Sequence, residues 1–167
     1  HLMILKKFPK NFLINSFIVI FIFLLDRFSK IYVIYLDKKF FGSEIFSSKF
    51  LNIHLIWNEG IAFGLFSFDQ NNLYNILSAV IFLVILIIFI WFIRSKGLKK
   101  YSLIVIFSGA LGNFCDRIFY GAVPDFIDFH VGNFHWFIFN VSDIFITIGV
   151  IGMIFLELTD KKYTNAV

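Results

Sequence analysis

Apolar side chains dominate four long stretches of the chain, and more polar segments separate them. Each stretch has about 20 residues or more, the length that an α-helix rising 1.5 Å per residue needs to cross a bilayer. The pattern therefore predicts four transmembrane helices, over residues 11–35, 73–93, 101–120 and 136–156. The second predicted helix carries no charge, whereas each of the other three contains ionisable residues.

The segment between the first two predicted helices, residues 36–72, has a different pattern. Over residues 51–58 apolar side chains alternate with polar ones, which is typical of a half-buried β-strand. We expect the rest of this segment, and residues 121–135, to be loops. The predicted fold class is an all-α membrane protein with a small outward β-like segment and loop, forming one domain over residues 1–167.

Composition also favours a membrane protein. Of the 167 residues, 59% are hydrophobic and 16% are charged, whereas soluble domains have about 45–50% and about 25%. The mean hydropathy is +0.85, and so little polar surface excludes a water-soluble globular domain. The 26 Phe residues exclude a disordered chain, and the single Cys excludes a disulfide framework.

The net charge of +4 comes from basic residues at the ends of the predicted helices. They lie before the first helix, between the second and third, and after the fourth, so a four-helix topology places them all on one side of the membrane. The positive-inside rule makes that side cytoplasmic, with both termini inside. No nucleic-acid partner is needed to explain this charge. The first apolar run is too long for a signal peptide, and we interpret it as a retained helix.

Polar residues inside the predicted helices follow a helical spacing. An ionisable residue there costs about 2.5–3.5 kcal/mol on insertion scales, and side chains three or four positions apart share one helical face. We expect three such faces to meet in a shared interior, with Gly109 and Gly112 allowing close helix contact. The polar residues are Asp26 and Lys30 in the first helix, Asn113, Asp116 and Arg117 in the third, and Asn140 and Asp143 in the fourth.

Two carboxylates are expected to meet near the outer surface of the membrane. Asp125 follows the outer end of the third predicted helix, and Asp143 lies about two turns inside the fourth. Two carboxylates in a partly dry site tend to share a proton, so that one activates a water as a base while the other acts as an acid toward a carbonyl. This is the chemistry of an aspartic protease. Asp116 stays open as a third candidate.

The same residues also have a purely structural interpretation. Asp26 with Lys30, and Asp116 with Arg117, would be neutralising pairs that hold helices together. Asp125 would then be a solvated turn residue. These alternatives stay open on the pattern alone.

The remaining candidate residues carry weaker signals. Cys115 is interpreted as a packing residue, and Asp37 and Asp128 as loop acids. We expect no metal and no cofactor, because the outward His residues fit no zinc-binding motif and have no Cys ligand nearby. These residues are His54, His130 and His135.

Five short motifs follow one another along the chain. They are Asp-Arg-Phe-Ser-Lys at 26–30, Asn-Glu-Gly-Ile-Ala-Phe at 58–63, Gly-Ala-Leu-Gly-Asn-Phe-Cys-Asp-Arg at 109–117, Gly-Ala-Val-Pro-Asp-Phe at 121–126 and Phe-Asn-Val-Ser-Asp at 139–143. In this order they resemble the motifs of the bacterial lipoprotein signal peptidases, also called signal peptidase II. Ser108 and Ser142 depart from the family, which often has Gly and Ala there, but both replacements are small.

The resemblance implies an aspartic endopeptidase of the bacterial inner or plasma membrane, with its active site facing the outer side. Such an enzyme cleaves the signal peptide of a prolipoprotein just before its diacylglyceryl-modified Cys, without metal or cofactor. It implies Asp125 and Asp143 as the catalytic pair, rather than Asp116. The implied partners are the prolipoprotein, membrane lipids and the inhibitor globomycin, and we expect a monomer. Substrate-binding or supporting roles fall on Asn58, Gly60, Asn113, Asp116, Arg117 and Asn140, and a structural role on Asp26 and Lys30.

Two other classes of membrane protein also have charged residues within their membrane-spanning helices. A small transporter or proton-coupled channel would spread its acids through the membrane and often repeats its two halves, a repeat that is not visible here. A scaffold subunit would use the polar faces only for association. Replacing Asp125 or Asp143 by Asn would then disturb folding or assembly, whereas the peptidase interpretation predicts folded, inactive variants.

Overall fold

A computed structural model describes residues 10–60 and 70–164, which form four long helices and a small sheet. Three of the helices contain a segment long and apolar enough to cross a membrane, and these segments are Tyr74–Arg94, Gly97–Tyr120 and Val141–Thr159. The helices themselves are α1 (Lys10–Lys39), α2 (Gln70–Arg94), α3 (Gly97–Tyr120) and α4 (Val141–Thr164).

The predicted start of the fourth helix at residue 136 is wrong. Residues Phe134–Phe139 form a β-strand, β4, and α4 begins at Val141. The apolar run gave no signal for this change, because buried strand and helix segments look alike when they are short. The main-chain hydrogen bonds of β4 to the preceding strand keep these residues extended. The other helices are longer than predicted, most clearly α1, which continues to Lys39 and includes Asp37.

The sheet has four antiparallel strands in the order β1, β2, β3, β4. The strand predicted over residues 51–58 is confirmed as β2 (Leu51–Asn58), with the short β1 (Phe46–Ser47) beside it. The loop predicted over residues 121–135 is wrong, because most of it forms β3 (Val123–Val131). β3 pairs with β2 so that Ile56 lies opposite Asp125.

Helix α3 occupies the centre of the bundle and contacts α1, α2 and α4. The close contact predicted at its glycines is confirmed. A Cβ on Gly109 would lie 2.6 Å from the main-chain oxygen of Ser142, and one on Gly112 would lie 2.7 Å from Asp26 Oδ2. At the C-terminal end of α3, Gly121 takes a positive φ of 71° and turns the chain toward β3. The sheet therefore lies at the end of the bundle where α3 finishes and α4 begins.

Candidate active site

Asp125 and Asp143 meet on either side of Asn140. Asp125 lies on β3 and is 4% exposed. The side-chain nitrogen of Asn140 donates a hydrogen bond of 2.6 Å to Asp125 Oδ1. The main-chain nitrogen of the same Asn140 donates a bond of 3.1 Å to Asp143 Oδ2. One buried asparagine thus connects both carboxylates.

The position of Asp143 differs from the prediction, which placed it about two turns inside the fourth helix. It is the third residue of α4, because the helix starts later than predicted. Asn140 Oδ1 accepts a hydrogen bond of 3.2 Å from the main-chain nitrogen of Asp143. Together with the reverse bond this is a capping box, in which the first residues of a helix satisfy each other's main-chain donors. The helix dipole also favours negative charge at this end.

Asn113 links Asp143 to the interior of the bundle. Its side-chain nitrogen donates a bond of 2.7 Å to Asp143 Oδ1, and its side-chain oxygen accepts one of 2.8 Å from Lys30 Nζ. The orientation of the Asn113 amide is therefore fixed from both sides. Lys30 reaches Asp143 through this single intermediate residue.

A group of four charged residues, three of them buried and one partly exposed, lies beneath the two carboxylates, and we call it the charge cluster. It consists of Asp26, Arg27, Lys30 and Asp116, and its two acids and two bases balance in charge. Lys30 Nζ lies 2.9 Å from Asp26 Oδ2 and 2.6 Å from Asp116 Oδ2, and Arg27 pairs with Asp116. The pairing predicted between Asp26 and Lys30 is confirmed. The cluster also contacts α4, since Asp26 Oδ1 accepts a bond of 3.0 Å from the main-chain nitrogen of Ser142.

The predicted pairing of Asp116 with Arg117 is wrong. The two side chains leave the helix in different directions, and Asp116 pairs with α1 instead. Sequence reasoning also missed Arg27, which supplies the second positive charge of the cluster. The signal that could have identified Arg27 was its unpaired charge in an apolar helix, because such a charge needs a partner inside the bundle.

Arg117, near the end of α3, contacts α2 and lies close to the end of the β2 segment. Within residues 10–60 and 70–164 it forms no ion pair, and its buried Nε has no hydrogen-bond partner. Its Nη1 donates a bond of 3.3 Å to the main-chain oxygen of Asn113, and its own main-chain oxygen accepts one of 2.7 Å from the Tyr74 hydroxyl. A Cβ on Gly60 would lie 3.5 Å from Arg117 Nη2. The end of the β2 segment therefore reaches this guanidinium.

An open cleft of about 690 Å³ leads to Asp125. Asn58, at the end of β2, donates a bond of 2.8 Å to Asp125 Oδ2. The side-chain oxygen of Asn58 accepts a bond of 2.8 Å from the main-chain nitrogen of Gly60, whose φ of 74° favours glycine. The rest of this motif, Ala62 and Phe63, lies outside the described residues. The walls of the cleft are Ile56, Trp57, Asn58, Glu59, Gly60, Asp125 and Ile138.

Several influences act on the pKa of Asp125. Burial raises the pKa above the usual carboxyl value, and the negative charge of Asp143 also raises it. The hydrogen bonds from Asn58 and Asn140 and the positive charge of Lys30 lower it. The net direction is upward. Because Asp125 is buried on β3, the alternative of a solvated turn residue is wrong.

The other predicted residues lie away from this site. Asp128 is a strand residue that is 2% exposed, not a loop acid, and it accepts a bond of 2.8 Å from His135. His135 stacks on His130. Within the part of the chain that the structure describes, no three His, Cys, Asp or Glu side chains lie close enough to hold a metal ion. Cys115 is partly buried in α3.

Fold and site together define a class, a helical membrane protein with two carboxylates at one end of the bundle. A sequence model of the signal peptidase (SPase) II family matches residues 18–159. The lipoprotein signal peptidase of Pelagibacter ubique is 47% identical over 157 residues, covering 93% of this chain and 95% of that protein. The lipoprotein signal peptidase of Anaplasma marginale is 40% identical over 151 residues, covering 89% and 86%.

A solved structure gives the same result at the level of the fold. A bacterial membrane enzyme determined by the in meso method at 1.9 Å resolution matches with a TM-score of 0.67 and 30% identity, covering 87% of this chain and 93% of that one. The chain belongs to the signal peptidase II family. It is a transmembrane protease of the kind that cleaves lipoprotein signal peptides.

Proposed function

We propose that the chain is an aspartic endopeptidase that cuts the signal peptide of a prolipoprotein just before its diacylglyceryl-modified Cys, with Asp125 and Asp143 as catalytic residues. The observation that carries this proposal is the position of Asn140. It donates one hydrogen bond to Asp125 and another to Asp143, and so it holds two carboxylates at one cleft. Membership of the signal peptidase II family, whose members cleave lipoprotein signal peptides, supports this proposal.

The surroundings of the two acids favour different roles. Asp143 lies in the first turn of α4 and accepts bonds from Asn113 and from the main chain of Asn140, all of which stabilise a carboxylate. Burial raises the pKa of Asp125, so this carboxyl holds a proton more readily. In the proposed mechanism Asp143 is the base and Asp125 is the acid.

The reaction then follows from this assignment. Asp143 takes a proton from a water, whose oxygen attacks the carbonyl carbon of the scissile bond, while Asp125 donates its proton to the carbonyl oxygen. The tetrahedral intermediate collapses when the C–N bond breaks. The leaving amine nitrogen takes the proton held on Asp143. One hydroxyl of the intermediate returns its proton to Asp125 as the carbonyl re-forms, so the products are a carboxylic acid and an amine, and both side chains are restored.

Supporting roles are assigned by contact. Asn58 and Asn140 orient Asp125, and Asn113 orients Asp143. The Nε of Arg117 lies close to Gly60 and has no partner in the described part of the chain, and in this proposal Arg117 contacts main-chain oxygens of the substrate. The charge cluster with Asp26, Lys30 and Asp116 holds α1, α3 and α4 together beneath Asp125 and Asp143.

The proposed topology has four membrane-spanning helices. Helix α1 is 30 residues long, about 45 Å at 1.5 Å per residue, and the charges near its middle, on Asp26, Arg27 and Lys30, have partners inside the bundle. The basic residues between α2 and α3 then lie in the cytoplasm, with both termini. The cleft faces the outer side of the bacterial inner or plasma membrane, where a lipid-modified substrate presents its scissile bond. Reporter fusions at both termini test this orientation, and an outward terminus contradicts it.

Cleavage of a diacylglyceryl-modified prolipoprotein by purified protein tests the catalytic assignment. We expect Asp125→Asn and Asp143→Asn each to abolish cleavage while the melting temperature stays close to that of the wild type. Asp37→Asn, which removes a carboxylate of α1 outside the site, is the matched control and keeps full activity. Full activity of either site variant removes that residue from the mechanism. Loss of folding in both would favour a scaffold role instead.

Inhibitor binding gives a second test of the same site. We propose that globomycin occupies the cleft and contacts both carboxylates, so it should raise the melting temperature of the wild type and protect it less in the Asp143→Asn variant. A monomer is proposed as the active form, and light scattering in detergent measures its mass. A wild type that neither cleaves the substrate nor responds to globomycin would favour the transporter class.

A further inference from the structure

A second cavity lies at the opposite end of the bundle from the two carboxylates. It has a volume of about 730 Å³ and opens between the first turns of α1, the last turns of α2 and the first turns of α3. Cavities of roughly 300–1,000 Å³ are typical of sites for small ligands. No described residue of the five motifs that resemble the protease family lines its walls.

The cavity is polar at its rim and apolar toward the middle of the membrane. Asn15 and Lys100 lie near the ends of their helices, whereas Val19 lies one turn deeper on α1 and Phe107 about two turns deeper on α3. An amphipathic cavity of this kind matches a molecule with a polar head and an apolar chain. A membrane lipid has this shape.

Two polar groups at the rim show what the head group must offer. Among the described residues no carboxylate lies within ion-pair distance of Lys100, while its neighbour Lys99 approaches Glu157 at 3.9 Å. The buried Oδ1 of Asn15 has no hydrogen-bond partner within residues 10–60 and 70–164. Because a buried acceptor without a partner costs about 1–3 kcal/mol, a ligand that supplies a donor is favoured there. The rim therefore favours a ligand with a negative charge beside a hydrogen-bond donor, and a hydroxyl is a donor that brings no second positive charge next to Lys100.

We propose that this cavity binds an anionic phospholipid whose head group carries a hydroxyl. The phosphate pairs with Lys100, the hydroxyl donates to Asn15 Oδ1, and one acyl chain lies against Val19 and Phe107. A signal peptide is a poorer occupant, because its basic N-terminal segment would meet Lys100 and the other basic residues at this end. This site is independent of the proposed peptidase chemistry.

Native mass spectrometry of the purified full chain tests the charge requirement, with phosphatidylglycerol and phosphatidylcholine titrated in neutral detergent. We expect phosphatidylglycerol to bind more tightly to the wild type. Lys100→Gln should weaken its binding about fivefold and leave phosphatidylcholine unchanged. Lys96→Gln, which removes the same charge from an exposed residue outside the cavity, should change neither. Equal binding of both lipids to the wild type, or an equal effect of the two variants, overturns the proposal.

The hydroxyl requirement is tested with phosphatidylmethanol, which has the same charge but no head-group hydroxyl. The wild type should bind phosphatidylglycerol about fivefold more tightly than phosphatidylmethanol, and Asn15→Leu should remove this preference. Melting temperatures measured without added lipid control for folding of the variants. Equal affinities of the wild type for the two anionic lipids overturn the assignment of Asn15, and this comparison needs no variant.

Discussion

The charge cluster beneath the candidate site provides a quantitative test of how the fold is held together. Lys30 is 1% exposed and donates to Asp26, Asn113 and Asp116 at 2.6–2.9 Å. Lys30→Met removes one of two positive charges and leaves two buried carboxylates with Arg27 alone. Breaking a buried ion pair from one side costs about 3–5 kcal/mol. At about 2–4 °C per kcal/mol, the melting temperature should fall by roughly 10 °C.

A compensating change separates lost charge balance from lost packing. In the double variant Lys30→Met with Asp26→Asn, Arg27 still pairs with Asp116, and the amide oxygen of the new asparagine can still accept from the main-chain nitrogen of Ser142. The cluster is neutral again, so we expect about 2 kcal/mol of the lost stability to return as coupling energy in a double-mutant cycle. Cleavage should stay at least about tenfold lower, because Asn113 has lost the donor that orients it toward Asp143.

The measurements are thermal melts and prolipoprotein cleavage on the same detergent samples. Lys39→Met, at the exposed end of α1, is the matched control and should change neither property. If the two single effects simply add in the double variant, charge balance is not what stabilises the cluster. If the double variant regains full activity, Lys30 does not position Asn113.

Three further perturbations address individual contacts of the site. In the proposed mechanism Asp125 must be protonated, so the rate falls as pH rises through its raised pKa. Asn58→Leu removes a hydrogen bond that favours the charged form of Asp125, so the pH–rate profile of this variant should show the fall at a higher pH than that of the wild type. A fall at a lower pH would contradict the assignment. Gly112→Ala should lower the free energy of unfolding by about 1–3 kcal/mol, measured by melting, because its Cβ would lie 2.7 Å from Asp26 Oδ2. Asn140→Ala should cost about 1 kcal/mol as a lost helix cap and reduce cleavage at least about tenfold, and an unchanged rate would show that Asn140 does not hold the two acids.

The helices and the pairing of Asp26 with Lys30 could be predicted because both depend on local spacing. An apolar run of about 20 residues has few alternatives to a membrane helix. Polar residues at three- and four-residue spacing share one face, so Asp26 with Lys30, and Asn113 with Asp116, were placed correctly on the inner faces of α1 and α3. Such inferences need only the geometry of one helix.

The errors concern contacts between distant parts of the chain. Strand β4 depends on pairing with β3, and the same apolar residues would fit the first turns of a helix equally well. The pairing of Asp116 with Arg27 spans 89 positions, and no local rule prefers it to the neighbouring Arg117. The predicted depth of Asp143 in the fourth helix was wrong for the same reason, because the end of β4 determines where α4 begins.

The two candidate carboxylates are held by different kinds of contact, and this difference has a consequence for function. Asp143 is held by Asn140, three positions away at its own helix end, and by Asn113 of the adjacent helix α3. Asp125 is held by Asn140 and by Asn58, which is 67 positions away on another strand. Local contacts survive small movements of the sheet, whereas the contact with Asn58 breaks when β2 moves. We therefore predict that a substrate that displaces Asn58 removes a hydrogen bond from the Asp125 carboxylate and raises the pKa of this proposed acid, while the hydrogen bonds that the proposed base Asp143 accepts from Asn113 and Asn140 stay in place.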